Sequence, residues 1–125
     1  MVKILIVDDS ATARILIKKS IEICGLEDAE FFEAASGKEA LDVLQRQEID
    51  IVFSDLNMPE MDGVTLLKKI KASPALNHLP VVIITSLKNQ ASEKALLQEH
   101  ARAVLGKPLK FTEVYQTLHD VLQFA

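Results

Sequence analysis

The chain has no tryptophan, one tyrosine and one cysteine among its 125 residues. A core built without large rings must be aliphatic, and hydrophobic residues, at 49 %, are plentiful enough to fill one at this length. The single cysteine, Cys24, excludes an intramolecular disulfide and fits a reducing compartment. Basic residues are not in excess. Lys and Arg number 14 against 18 Asp and Glu, a net charge of -4, so the basic footprint of a nucleic-acid binder is missing. No apolar run approaches the ~20 residues of a membrane span. The start Met1-Val2-Lys3-Ile4 enters an apolar stretch at once, leaving no room for a signal peptide. The expectation is a cytoplasmic chain forming one domain over residues 1–125, with neither nucleic acid nor membrane as partner.

What is present is an alternation of short apolar runs and amphipathic stretches. The runs are Ile4 to Val7, a weaker Phe31-Phe32 segment, Ile51 to Phe53, Val81 to Ile84, and Ala103 to Leu105. Three of them are continuously apolar, the pattern of strands buried on both faces of a parallel sheet. Helical spacing fills the gaps. The first helix is predicted from Ala11 to Cys24 with Gly25 as its C-cap. The second opens at Ser36, the third runs from Val64 to Ala72, and the fourth from Gln90 to Ala101. The last carries Phe111, Val114, Tyr115, Leu118, Val121 and Leu122 at helical spacing. A βαβαβαβαβα order with right-handed crossovers gives an α/β fold with a doubly wound parallel sheet.

The suspicious polar residues all follow strands. Asp8 and Asp9 follow the first, Asp55 the third, Thr85 the fourth and Lys107 the fifth. In open α/β sheets, sites form beyond the carboxyl ends of the strands where strand order reverses. Carboxylates brought together there repel, by on the order of 4 kcal/mol per pair at about 4 Å and an effective dielectric near 20. They must protonate or bind a cation. Mg²⁺ fits, because it takes oxygen ligands, needs few carboxylates and keeps waters that phosphate oxygens can replace. A carboxylate is also a competent nucleophile for phosphoryl transfer. The charged oxygens of the transferring group need a metal, a donor and a fixed cation. Thr85 could supply a hydroxyl and Lys107 an ammonium. Pro108 follows Lys107, and an X-Pro bond can adopt the cis form and aim the preceding side chain.

Asp8-Asp9, Asp55 with Met58-Pro59 and Asp62-Gly63, Thr85-Ser86, and Lys107-Pro108 together resemble the motif set of the response-regulator receiver domain, of the chemotaxis single-domain type. The resemblance spans essentially the whole chain, in order. It implies a flavodoxin-like (βα)5 fold with a five-stranded sheet of order 2-1-3-4-5. It implies Asp55 as phosphoacceptor. Asp9, Asp55 and the main-chain carbonyl of Asn57 are implied as Mg²⁺ ligands, with Asp8 acting partly through water. Thr85 and Lys107 are implied as partners of the phosphoryl oxygens, with a cis Lys107-Pro108 bond. The implied phosphodonor is a phosphohistidine on a histidine kinase or histidine phosphotransfer domain. The implied output is phosphorylation-dependent binding to a downstream protein, by a chain that is monomeric when unphosphorylated. Such a protein promotes its own phosphorylation and dephosphorylation and is not a classical enzyme.

Other readings stand beside these. Asp9 could cap the first helix. Gly106-Lys107 lacks the upstream glycine and the following Ser or Thr of a phosphate loop. His78, His100 and His119 have no metal-ligand spacing, and Met58 and Met61 read as local packing. Three positions depart from the family pattern. Val104 stands where receivers usually carry Tyr or Phe, Leu109 replaces the aromatic often found after Lys-Pro, and His100 replaces a usual glycine. A switch would then act through the segment from Thr85 to Ala101. Asn57 and Leu87 occupy the two positions that tune self-dephosphorylation in the family. Ile15 reads either as a phosphodonor contact or as an ordinary apolar residue. The alternatives to a stand-alone receiver are a receiver cut from a larger regulator, a Mg²⁺-dependent phosphohydrolase using an aspartyl-phosphate, and a non-phosphorylated adaptor.

Overall fold

A computed structural model describes residues 1–123; Phe124 and Ala125, the end of the expected domain, lie outside them. The elements are β1 (Lys3–Val7), α1 (Ala11–Ile21), β2 (Glu30–Ala34), α2 (Gly37–Arg46), β3 (Ile51–Asp55), α3 (Gly63–Ala72), β4 (Val81–Thr85), α4 (Gln90–Gln98), β5 (Ala103–Gly106) and α5 (Phe111–Leu122). All neighbouring strands are parallel, in the order β2-β1-β3-β4-β5. The doubly wound sheet read from the sequence is the sheet that forms.

Side chains alternate across the sheet and divide the core in two. Leu5, Val7, Val52, Val81 and Ile83 pack beneath α2, α3 and α4 with Leu44, Leu66, Ile70 and Leu96. Ile4, Ile6, Ile51, Phe53, Val82 and Ile84 face α1 and α5, against Ile17, Ile21, Val114 and Leu118. This is why β1 and β4 are apolar at nearly every position and β3 is apolar up to Ser54 and Asp55 at its carboxyl end. β2 and β5 are edge strands and show more exposure.

Three helix boundaries differ from the sequence expectation for local reasons. α1 stops at Ile21, and the chain widens into a π-type turn over Glu22–Leu26 in which Gly25 takes φ 105. Its core face is Ile17 and Ile21, so Leu16 is left 60 % exposed although it shares a helical projection with the buried Cys24. α3 begins one residue early, at Gly63, because the Asp62 side chain caps it by accepting from the Thr65 N–H at 2.8 Å. α4 ends at Gln98, short of Ala101. There His100 adopts φ 75, the left-handed conformation usually left to glycine. The His100 N–H donates to the Leu97 carbonyl and the Ala101 N–H to the Leu96 carbonyl, both at 3.0 Å. That pair of bonds is a Schellman closure, made without glycine.

Candidate functional site

The register aligns the carboxyl ends of the strands. Val7 pairs with Ser54, Asp55 with Ile84, and Thr85 with Gly106. Asp8 and Asp9 therefore leave β1 beside the end of β3, where the order of the sheet reverses. The carboxylates of Asp8, Asp9 and Asp55 bring ligand oxygens within 4.8 Å of one another. Lys107, just beyond β5, reaches back over them. Its Nζ lies 3.1 Å from Asp8 Oδ2 and 3.1 Å from Asp55 Oδ1.

Asp8 is fully engaged. Its N–H donates to the Ala34 carbonyl at 3.1 Å, Oδ1 accepts from the Ser10 N–H at 2.9 Å, and its carbonyl accepts from Arg14 at 2.7 Å. Asp9 is exposed and does not cap α1. That role falls to Ser10, whose Oγ accepts from the Ala13 N–H at 3.2 Å. The carboxylate of Asp9 is thus left facing the cluster, with no hydrogen bond to it among the described residues.

The loop after Asp55 is held tightly. The Gly63 N–H donates to the Leu56 carbonyl at 2.8 Å, and the Leu56 N–H donates to the Ile84 carbonyl at 3.0 Å. A Cβ on Gly63 would lie 2.5 Å from the Asp55 carbonyl oxygen, so only glycine permits this approach of α3 to β3. Glu60 takes φ 67 and is spanned by a Met61 N–H to Pro59 carbonyl bond at 2.7 Å, a strained γ-turn. Met58 is buried in the core and Met61 packs over Gly37, so both methionines do serve as packing. Asn57 lies exposed in the loop.

Thr85 is buried at the end of β4, and its Oγ1 accepts from the Leu87 N–H at 3.1 Å, which leaves the hydroxyl proton available to donate. Its carbonyl accepts from the Lys107 N–H at 2.9 Å, tying the two strand ends together. The Lys107-Pro108 bond is cis.

The electrostatics follow from this crowding. Burial raises the Asp55 pKa above the ordinary carboxylate value; the Lys107 hydrogen bond opposes this and the charge of Asp8 adds to it. Burial alone would lower the Lys107 pKa, but its hydrogen bonds and charge contacts with Asp8 and Asp55 prevail and raise it. Three carboxylates against one ammonium leave two negative charges uncompensated, in an all-oxygen setting. That donor set fits a hard dication.

The family profile of the response regulator receiver domain matches residues 4–119. The chain belongs to this family. The receiver is 35 % identical over 124 residues to the chemotaxis protein CheY-3 of Vibrio cholerae, with 97 % of this chain and 92 % of that protein covered. It is 34 % identical over 121 residues to a chemotaxis protein CheY homolog of Campylobacter jejuni, with 96 % and 92 % covered. Among solved structures, the signal receiver domain of a DNA-binding response regulator of Colwellia psychrerythraea superposes with a TM-score of 0.89 at 26 % identity, covering 99 % of this chain and 100 % of that one. Chemotaxis receivers are themselves a standard case of the rule that places sites at the reversal of strand order.

Within the receiver, Val104 is buried among Leu96 and Ala101, so no ring stands there to change rotamer. Leu87 is 73 % exposed beside Thr85, and Ile15 is 52 % exposed on α1, outside the core. Sequence reading did not single out Arg14, whose Nε also pairs with Glu33 at 2.8 Å. Its spacing from Ser10 along the helix was visible, but its partner on β2 was not.

Proposed function

We propose that this receiver accepts a phosphoryl group on Asp55 from a phosphohistidine of a histidine kinase or phosphotransfer domain. The observation that carries the reading is Asp55 at the centre of the cluster, with Lys107 3.1 Å from its Oδ1 and two further carboxylates within 4.8 Å. An Asp55 oxygen attacks phosphorus, the P–N bond to the donor histidine breaks, and its electron pair returns to the imidazole ring. An aspartyl-phosphate results. Asp9, Asp55 and the Asn57 main-chain carbonyl are the proposed Mg²⁺ ligands, with Asp8 joined partly through water. When bound, Mg²⁺ supplies the positive charge that the phosphoryl oxygens require. The Thr85 hydroxyl donates to one of those oxygens, and Lys107 holds another.

The protein is not a classical enzyme in this reading, since the group it acts on is its own. Its phosphorylated form shifts a surface equilibrium and is read by a downstream protein in the cytoplasm, without nucleic acid or membrane. The unphosphorylated form is monomeric. Similarity to chemotaxis proteins supports a motility-type target. The exposed Ile15 contacts the donor, and Ile15→Ala should slow phosphotransfer; unchanged transfer kinetics would remove that contact from the account. Leu87 cannot orient a hydrolytic water, so self-dephosphorylation is slow.

The test is incubation with a small-molecule phosphodonor and Mg²⁺, followed by intact-mass measurement. A single phosphoryl adduct is expected on the wild type and not on Asp55→Asn. No adduct, or one that survives the substitution, would sink the proposal.

A further inference from the structure

We infer that Arg14 is a positioning residue for the metal site, acting on Asp9 through the backbone. The inference rests on the Mg²⁺ site proposed above. Asp9 is the exposed member of the acid cluster, and among the described residues nothing hydrogen-bonds its carboxylate. Its placement must therefore come from the main chain. The carbonyl of Asp8 and the nitrogen of Asp9 belong to one rigid peptide plane. The group that fixes that carbonyl fixes the plane, and with it the direction in which Asp9 leaves the turn.

That group is the Arg14 guanidinium. Its Nη1 donates to the Asp8 carbonyl at 2.7 Å, and its Nε donates to Glu33 Oε1 at 2.8 Å. The two bonds use adjacent sides of one planar fork, so the guanidinium is held against rotation. The backbone of each anchor is fixed, although the Glu33 side chain itself is 45 % exposed. The Arg14 backbone is tied into α1 by its N–H to the Ser10 carbonyl at 3.0 Å, and Glu33 pairs with Ile6 within the sheet. The Arg14 side chain is only 17 % exposed, so the bond to the Asp8 carbonyl is sheltered from competing water. Arg14 thus couples α1, the edge strand β2 and the turn that carries two of the three acids, without itself touching a carboxylate of the cluster.

The sign of the effect separates this role from simple charge. Arg14 is a cation near a site for a dication. By Coulomb's law alone, removing it should strengthen Mg²⁺ binding. A positioning role predicts the opposite. Loss of such a supporting contact typically weakens metal affinity by about 10–100-fold.

The experiment measures the Mg²⁺ dissociation constant of the full chain by calorimetry, with thermal unfolding in EDTA as the control for folding. Arg14→Met keeps the aliphatic stem and removes the fork, and should bind Mg²⁺ about 10–100-fold more weakly while remaining folded. Arg14→Lys keeps the charge but cannot make both bonds, and should also bind more weakly than wild type. Affinity equal to or above wild type in either folded variant overturns the inference. So does failure of both variants to fold, which would make Arg14 purely structural. A wild type that binds no Mg²⁺ overturns the proposed metal site itself, and that outcome is read before any variant is compared.

Discussion

Replacing Asp55 by asparagine should make the metal-free protein more stable. The amide is nearly isosteric and removes one charge. At an effective dielectric near 20, the contact of Asp55 with Lys107 at 3.1 Å is an attraction of about 5 kcal/mol. Repulsion from Asp8, within 4.8 Å, is at least about 3.5 kcal/mol on the same scale, and the exposed Asp9 adds a smaller share. These contributions nearly cancel, so burial decides. Asp55 is 7 % exposed, and burial is the leading reason its pKa is raised. The ionised carboxylate is then a net cost to folding. Lys107 keeps Asp8 as a partner at 3.1 Å, so no buried charge is left unpaired, and Asp55→Asn should gain about 1–3 kcal/mol, within the range found when whole buried ion pairs are replaced. At this chain length the melting temperature should rise by about 4–10 °C. The assay is thermal unfolding followed by circular dichroism in EDTA.

The pH dependence has a definite sign. An unfolded Asp titrates near 3.9, and the folded Asp55 titrates above its ordinary value. Between those two pKa values the native wild type holds more protons than the unfolded chain, so its stability falls as pH rises. The variant lacks this slope. The gap between them should be absent below the unfolded pKa, open across the window, and be complete above the folded pKa. Mg²⁺ at 100 times its dissociation constant would add about 2.7 kcal/mol to the wild type and close the gap. A variant less stable than wild type in EDTA at neutral pH, or a gap indifferent to pH, refutes the reasoning.

Other outcomes follow from single positions. Leu87→Glu places an acid beside Thr85 that can orient water, and should shorten the phosphoryl lifetime measured by mass; an unchanged or longer lifetime counts against the role of Leu87. Gly63→Ala drives a Cβ to 2.5 Å from the Asp55 carbonyl oxygen and should cost about 1–3 kcal/mol, with slower phosphorylation. Gly37→Ala meets only the flexible Met61 side chain and should cost less in the same melts; equal losses would contradict this account. His100→Gly relieves about 1–2 kcal/mol of left-handed strain against about 0.5–1 kcal/mol of glycine entropy, so stability should hold or rise slightly. His100→Ala keeps the strain, and a gain there equal to that of glycine would argue against strain at this site.

The sheet was legible because β1, β3 and β4 are buried on both faces and their composition leaves no other reading. Helix ends were less legible where backbone conformation, rather than residue type, decides. Nothing in the identity of His100 announces a left-handed residue, and the π-type turn that contains Gly25 cannot be seen in apolar spacing. The acid cluster was readable because each member lies at the last residue of a strand or within two residues beyond it, so parallel topology alone brings them to one edge. What escaped was the support around them. Ser10 was overlooked as a cap because Asp9 stood beside it, and Arg14 because its contact with Glu33 depends on how α1 lies against β2.

The loop from Leu56 to Gly63 is closed on itself by the Gly63 N–H to Leu56 carbonyl bond and pinned to β4 through the Leu56 N–H. Mechanically, this is a fixed jaw. The facing connection from Ser86 to Asn89 is exposed at every residue and is held by the Leu87 N–H to Thr85 Oγ1 bond, the Lys88–Glu93 pair and the cap at the start of α4. A clamp with one fixed jaw and one free jaw passes its load in one direction. We expect a phosphoryl group on Asp55 to leave the start of α3 where it is and to spend its pull on Thr85 and the root of α4. Amide hydrogen exchange should then change in the connection after Thr85, and stay unchanged between Leu56 and Gly63.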